Sequence, residues 1–172
     1  MMLRNILNAI TFYTYWWLSF WGASKGIYYI GPLIAILYFI LHFYLIENKV
    51  KEFKYMLFCI LVGFMFESFL LYTGFINYNG LLSQKYAIVP IWVIILWGGY
   101  ALTAFHSFKY ISGRYLVSFI IGTFLCPLIY IAGDRVGAIY LNYEITFSYI
   151  VLMVMWSIIF PIMNYVSVRI DD

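Results

Sequence analysis

YMLFCILVGFMFESFLLYTGF, residues 55–75, decides the fold. Its 21 positions carry a single charge, Glu67. At 1.5 Å per residue an α-helix of that length spans the ~30 Å hydrocarbon core of a bilayer. On one side the run is bounded by the polar segment Glu47-Asn48-Lys49-Val50-Lys51-Glu52-Phe53-Lys54, and on the other by Asn77, Asn79 and Gly80, turn-forming residues that lead toward Lys85.

Five further apolar runs flank it, over about 5–22, 27–46, 87–108, 115–132 and 145–166. Short polar punctuation separates them: Ser24-Lys25-Gly26, Lys109 to Arg114 around Ser112-Gly113, and Gly133-Asp134-Arg135-Val136-Gly137. Pro90 falls in the first turn of its run, where a missing N–H costs little, and Pro127 is expected to kink the fifth. Composition agrees: of 172 residues 66% are hydrophobic and 10% charged, with mean hydropathy +0.93, against roughly a quarter charged in a soluble domain. These features predict an all-α fold, a polytopic transmembrane helical bundle of about six spans, as one transmembrane domain over residues 1–172. The first run is expected to stay as a span, because Trp21 stands where signal cleavage wants a small residue.

The basic residues orient the bundle. Arg4, Lys49, Lys51, Lys54, Lys109, Arg114 and Arg169 fall on one side, and Lys25, Lys85 and Arg135 on the other. Seven against three predicts cytoplasmic N- and C-termini in a multi-pass protein. A net charge of +3, scattered, gives no footprint for nucleic acid. Cys59 and Cys126 lie inside apolar runs without metal or redox spacing and read as small buried hydrophobes. Interfacial anchoring is the simplest reading of the six tryptophans.

Groups that are expensive in lipid are the candidates for function. Glu67 lies about twelve residues into its span, roughly 18 Å from the cytoplasmic boundary. A carboxylate there costs several kcal/mol unless it is paired, hydrated or protonated. Gly63, Glu67 and Gly74 are spaced to share one helix face, and a small-residue face is expected to turn into the bundle. His42 and His106 fall near the cytoplasmic ends of their spans. His106 continues a face made by Trp92, Leu96, Gly99 and Thr103, but lies roughly 15 Å from Glu67 along the membrane normal. Two histidines without a third obvious ligand make a weak metal site, and neither metal nor cofactor is expected. Arg135, snorkelling inward beside Asp134, is a cationic candidate to reach Glu67; an Asp134–Arg135 pair at the helix end is the alternative. Asn5, Asn8, Phe12, Tyr15 and Ser19 trace a mixed polar face on the first span, of the kind that joins helices through hydrogen bonds.

Several classes are excluded. Two histidines are too few for a di-iron desaturase. There is no phosphate loop ending in Gly-Lys-Ser/Thr, no His-Glu-x-x-His and no Gly-x-Ser-x-Gly.

Trp16-Trp17 with Gly22, Glu67 followed by Gly74, Pro90-Ile91-Trp92 with Leu96-Trp97, and the run from Pro127 to Ala138 occur in an order and spacing that resemble a bacterial inner-membrane family catalogued as domain of unknown function 2878. The likeness covers essentially the whole chain. Its most specific part is the Pro-Leu-x-Tyr-x-x-Gly-x-Arg-x-Gly-Ala run, with Cys126 standing where Gly is expected before the proline. The resemblance implies a location in the bacterial inner (plasma) membrane and brings no activity with it. It groups Glu67, Trp92, Tyr130 and Arg135 together. A fainter likeness, on two short features, is to membrane carotenoid cyclases and hydratases, which also place an acid on one helix and a proline–aromatic run at the start of the next.

Three functions are open at this point. The sharpest is an enzyme acting on a lipid or isoprenoid, with Glu67 as the catalytic acid, Trp92, Trp97 and Tyr130 lining the substrate and stabilising a cation, and Arg135 beside them. The others are a small proton-coupled transporter and a non-catalytic subunit holding a partner protein that the sequence does not identify. The bilayer is the one partner common to all three.

Overall fold

The computed structural model describes residues 2–83 and 88–171, with side chains described from residue 5 onward. Lys85 and the Arg4 side chain, both used in the orientation argument, lie outside the described residues. Among the described residues 77% are helical. The helices are α1 (Met2–Ser24), α2 (Ile30–Leu45), α3 (Lys49–Tyr72), α4 (Ile91–Ala104), α5 (Tyr115–Phe124), α6 (Cys126–Val136) and α7 (Ile145–Asp171). Among the described residues three helical segments are long and apolar enough to cross a membrane: Lys49–Tyr72, Tyr115–Val136 and Ile145–Asp171. Ile30–Leu45 and Ile91–Ala104 are apolar but shorter.

The distribution of polarity is that of a protein solvated by hydrocarbon. Leu33, Leu37 and Leu41 of α2, Leu61 and Met65 of α3, and Val154, Ile158 and Ile162 of α7 are exposed, while Glu52, Glu67, His42, His106, Asn8, Thr103, Ser118 and Asn164 are buried. In water this arrangement would forfeit the hydrophobic driving force and desolvate ionisable groups together. Inside a bilayer it follows from the need to satisfy polar groups within the protein.

Helix α4 is central, packed against α1, α2 and α3, and α3 also meets α7. The predicted polar face of α1 turns inward: Asn8, Phe12, Tyr15 and Ser19 are buried. There the Asn8 amide donates to the Tyr38 hydroxyl at 3.1 Å and to the Leu102 carbonyl at 3.0 Å. Pro127 breaks the fifth run into α5 and α6, because it has no N–H for the helix ladder. The hydroxyl of Tyr149 on α7 donates to the Phe124 carbonyl at the break, at 3.0 Å.

Two short strands interrupt the helices, a feature absent from the sequence reading. β1 (Ile76–Tyr78) pairs antiparallel with β2 (Ile139–Leu141), Tyr78 standing opposite Ile139. Gly74, in the left-handed region at φ 68°, ends α3 instead of continuing its face as expected. The Phe75 N–H returns to the Leu70 carbonyl and the Gly74 N–H to the Leu71 carbonyl, a Schellman closure that aims the chain into β1. We call this the hairpin end of the bundle, and the end holding both termini the terminal end.

Candidate functional site

Glu67 is 3% exposed and both carboxyl oxygens are engaged. Oε1 accepts from the Trp97 indole N–H at 3.0 Å and from the Tyr130 hydroxyl at 2.9 Å. Oε2 accepts from the Tyr78 hydroxyl. Three separate elements, α4, α6 and β1, thus close on one carboxyl of α3.

Each donor arrives for a local reason. Trp97 reaches because Gly63, one turn before Glu67, has no side chain: a Cβ there would lie 2.2 Å from Trp97 Cγ. Tyr130 follows Pro127 at the start of α6, where the break re-aims the helix. Tyr78 points inward because alternate residues of a strand face opposite sides, so Ile76 and Tyr78 are buried and Asn77 is exposed. Burial, and after it the Glu67 carboxyl, hold the Tyr78 phenol well above its ordinary range, so it serves as a donor.

Aromatic rings close the outside of this cage. Trp97 stacks on Trp156 with centroids 5.2 Å apart and an interplanar angle of 12°, and Phe66 meets Trp97, Tyr130 and Trp156 edge-on. Alongside, between α3 and α7, runs an apolar groove of about 290 Å³, lined by Phe69, Leu70, Thr73, Phe75, Tyr143, Phe147, Val151 and Met155. Leu70, which lines the groove, lies one helical turn from Glu67 on α3; the residues that bond the carboxyl are not among those lining it.

The structure brings Glu67, Trp97 and Tyr130 together and leaves Trp92 and Arg135 elsewhere. The Trp92 indole donates to the Asn79 carbonyl at 2.8 Å and its ring meets Phe20. Arg135 is exposed and forms no pair with Glu67, and Asp134 accepts from the Leu141 N–H at 2.9 Å instead of pairing with its neighbour. The tryptophans also divide: Trp17 and Trp21 are exposed, as anchors would be, while Trp92, Trp97 and Trp156 belong to the core. The depth of Glu67 changes too. Helix α3 starts at Lys49, six residues before the apolar run, and ends at Tyr72, which leaves Glu67 five residues, or about 8 Å, from the hairpin end.

Extending α3 back to Lys49 has a second consequence. Glu52, read from the sequence as part of a polar loop, is 4% exposed inside the bundle. His42 Nε2, from the last turn of α2, stands 2.7 Å from its Oε2. His106 Nε2, just past α4, stands 3.0 and 3.1 Å from its two oxygens. Periodicity carried the signal: Glu52 precedes Gly63 by eleven residues, which returns to the same helix face. Tyr78 had no such signal, since nothing local in Ile76-Asn77-Tyr78 announces a strand whose partner lies some sixty residues away.

A family model described as "Protein of unknown function (DUF2878)" matches residues 5–162, and the chain belongs to that family. No curated protein and no solved structure matches it.

Proposed function

We propose that this DUF2878 chain is a six-span protein of the bacterial inner membrane, with cytoplasmic termini, that acts on a lipid or isoprenoid chain through Glu67. The observation that carries this reading is the caged carboxyl one helical turn from Leu70, which lines an apolar groove between α3 and α7. Lys49, Lys51, Lys54, Lys109, Arg114 and Arg169 all belong to the terminal end, which supports the orientation. In the proposed reaction a chain enters between α3 and α7, and Glu67 gives its proton to a carbon–carbon double bond. The ring faces of Trp97, Trp156 and Tyr130 stabilise the resulting carbocation. Loss of a neighbouring proton back to the carboxylate completes a balanced isomerisation or cyclisation. Three donors on two oxygens suit the carboxylate left by the first transfer better than the acid that begins it, which is the differential stabilisation catalysis requires.

A proton-coupled carrier is the second reading. One observation favours it: Glu52 and Glu67 lie on the same helix about 22 Å apart, with buried Tyr55 and Cys59 between them.

The test compares total lipid extracts by mass spectrometry from wild type, a deletion strain, and a deletion strain expressing Glu67→Gln at equal level. A product lost from both mutant strains supports the enzyme. Indistinguishable extracts, together with pH-driven uptake into vesicles, would replace it with the carrier.

A further inference from the structure

From the geometry at the terminal end, we infer that His42, Glu52 and His106 form a binding site for a divalent transition-metal ion of the zinc and iron(II) type, with at least one coordination position left for an exchangeable ligand. This inference is independent of the reading of Glu67.

The three residues come from three different parts of the chain and converge on one point. Their donor atoms all lie within 4.8 Å of one another, and all three residues are buried, at 7%, 4% and 8% exposure. Both histidines present the same ring nitrogen, Nε2, to the same carboxylate. A metal bound at about 2.0–2.2 Å by nitrogen and oxygen needs its ligand atoms roughly 3.3 Å apart in a tetrahedron. The His42–Glu52 separation of 2.7 Å and the Glu52–His106 separation of 3.0 Å lie about 0.6 and 0.3 Å below that value, and the two histidine ligand atoms lie within 4.8 Å of each other.

A surrounding layer holds the ligands in place. The His42 ring packs edge-on against Tyr38, Phe43 and His106. The Tyr38 hydroxyl is fixed by the Asn8 amide, whose own oxygen accepts from Ser107, the residue after His106, at 2.8 Å. Lys51, next to Glu52 in sequence, is turned away to Asp171. Neighbours that fix ligand orientation without competing for the ion are what metal sites employ.

The donor set selects the cation. Two imidazoles and one carboxylate suit Zn²⁺, Fe²⁺ and their first-row neighbours. Mg²⁺ and Ca²⁺ call for all-oxygen shells, and Cu⁺ prefers sulfur. Three protein ligands are one fewer than a closed structural zinc site holds, so water or a substrate group completes the shell.

The experiment uses the full chain without a polyhistidine tag, purified in detergent and stripped with chelator. Co²⁺ and Zn²⁺ are the probes. We expect Co²⁺ to give visible d–d absorption of nitrogen–oxygen type saturating near one equivalent, Zn²⁺ to displace it, and Mg²⁺ to leave it unchanged. Glu52→Gln and His106→Gln should each weaken Zn²⁺ binding by more than about tenfold, since loss of a mere orienting neighbour already costs about 10–100-fold. Cys59→Ser/Cys126→Ser should retain it. The wild-type spectrum needs no variant to fold. If wild type takes up no Co²⁺, or a triple His42/Glu52/His106 variant binds as well as wild type, the cluster is a hydrogen-bonded triad only and the inference is overturned.

Discussion

Replacing Gly63 by Ala tests the construction of the Glu67 cage at its tightest point. The new Cβ would stand 2.2, 2.4 and 2.5 Å from Trp97 Cγ, Cδ2 and Cδ1, where ordinary contact begins at 3.4 Å. Trp97 must then retreat by about 1.2 Å, which takes its 3.0 Å hydrogen bond to Glu67 well past the ~3.6 Å at which such a bond is lost. Overpacking costs about 1–3 kcal/mol, and losing the hydrogen bond to the Glu67 carboxyl about 0.5–1.5. The better helix propensity of Ala offsets up to about 1 kcal/mol. The expected net destabilisation is about 1–4 kcal/mol. It is read from SDS-driven unfolding in mixed micelles, followed by far-UV circular dichroism. A double-mutant cycle isolates the cause. Trp97→Ala removes the three atoms in conflict, so Gly63→Ala should cost far less in that background, with a coupling of about 1–3 kcal/mol. Wild-type stability for Gly63→Ala, or costs that simply add in the double variant, would refute the close approach of α3 and α4 on which the cage rests.

Two further expectations follow from the same geometry. Tyr78→Phe should destabilise more than Tyr130→Phe, by about 1 kcal/mol, because Oε2 loses its donor while Oε1 keeps Trp97; equal costs in the same unfolding assay would mean the two phenols are interchangeable. Cys59, at 0% exposure, and Cys126, at 6%, should resist a membrane-permeant maleimide in the folded protein and react once it is unfolded, and rapid labelling of folded protein would contradict their burial.

The sequence could be read to different depths at different places, and the physics explains where. Hydrophobic runs announce helices, and the cost of a charge in lipid announces Glu67, because both signals are local and large. The inward face of α1 is also visible, as the repeat of Asn5, Asn8, Phe12, Tyr15 and Ser19, all but Asn5 buried. Hydropathy places a span boundary where charges begin, however, and a helix continues as long as its backbone bonds are satisfied. That difference hid Glu52: Lys49, Val50, Phe53 and Lys54 around it are exposed, and only its own side chain turns inward. Arg135 lies away from Glu67 for the opposite reason. Depth along the chain placed it near Glu67, but the direction of a side chain depends on the rotation of α6 about its axis, which is set by packing against α7 and β2. Tyr78 depended on a distant strand pairing and was out of reach.

Helix α3 ties the two polar centres to one element. A soluble protein could let each end of such a helix fray into water, but in a bilayer a buried carboxyl without donors costs several kcal/mol, so each must be enclosed by neighbouring elements. Glu52 is enclosed by the end of α2 and the segment after α4, and Glu67 by the middle of α4, the start of α6 and β1. Helix α4 and the turn that follows it therefore serve both enclosures, through Trp97 and through His106, nine residues apart in sequence. It has few exposed positions of its own: Trp92, Val93, Trp97, Gly98, Gly99 and Ala101 through Ala104 are all buried. A ligand that repositions either carboxyl has α3 and α4 as its two direct connections to the other, and their small-residue contacts at Gly63 and Gly98 leave little room for one helix to move without its partner.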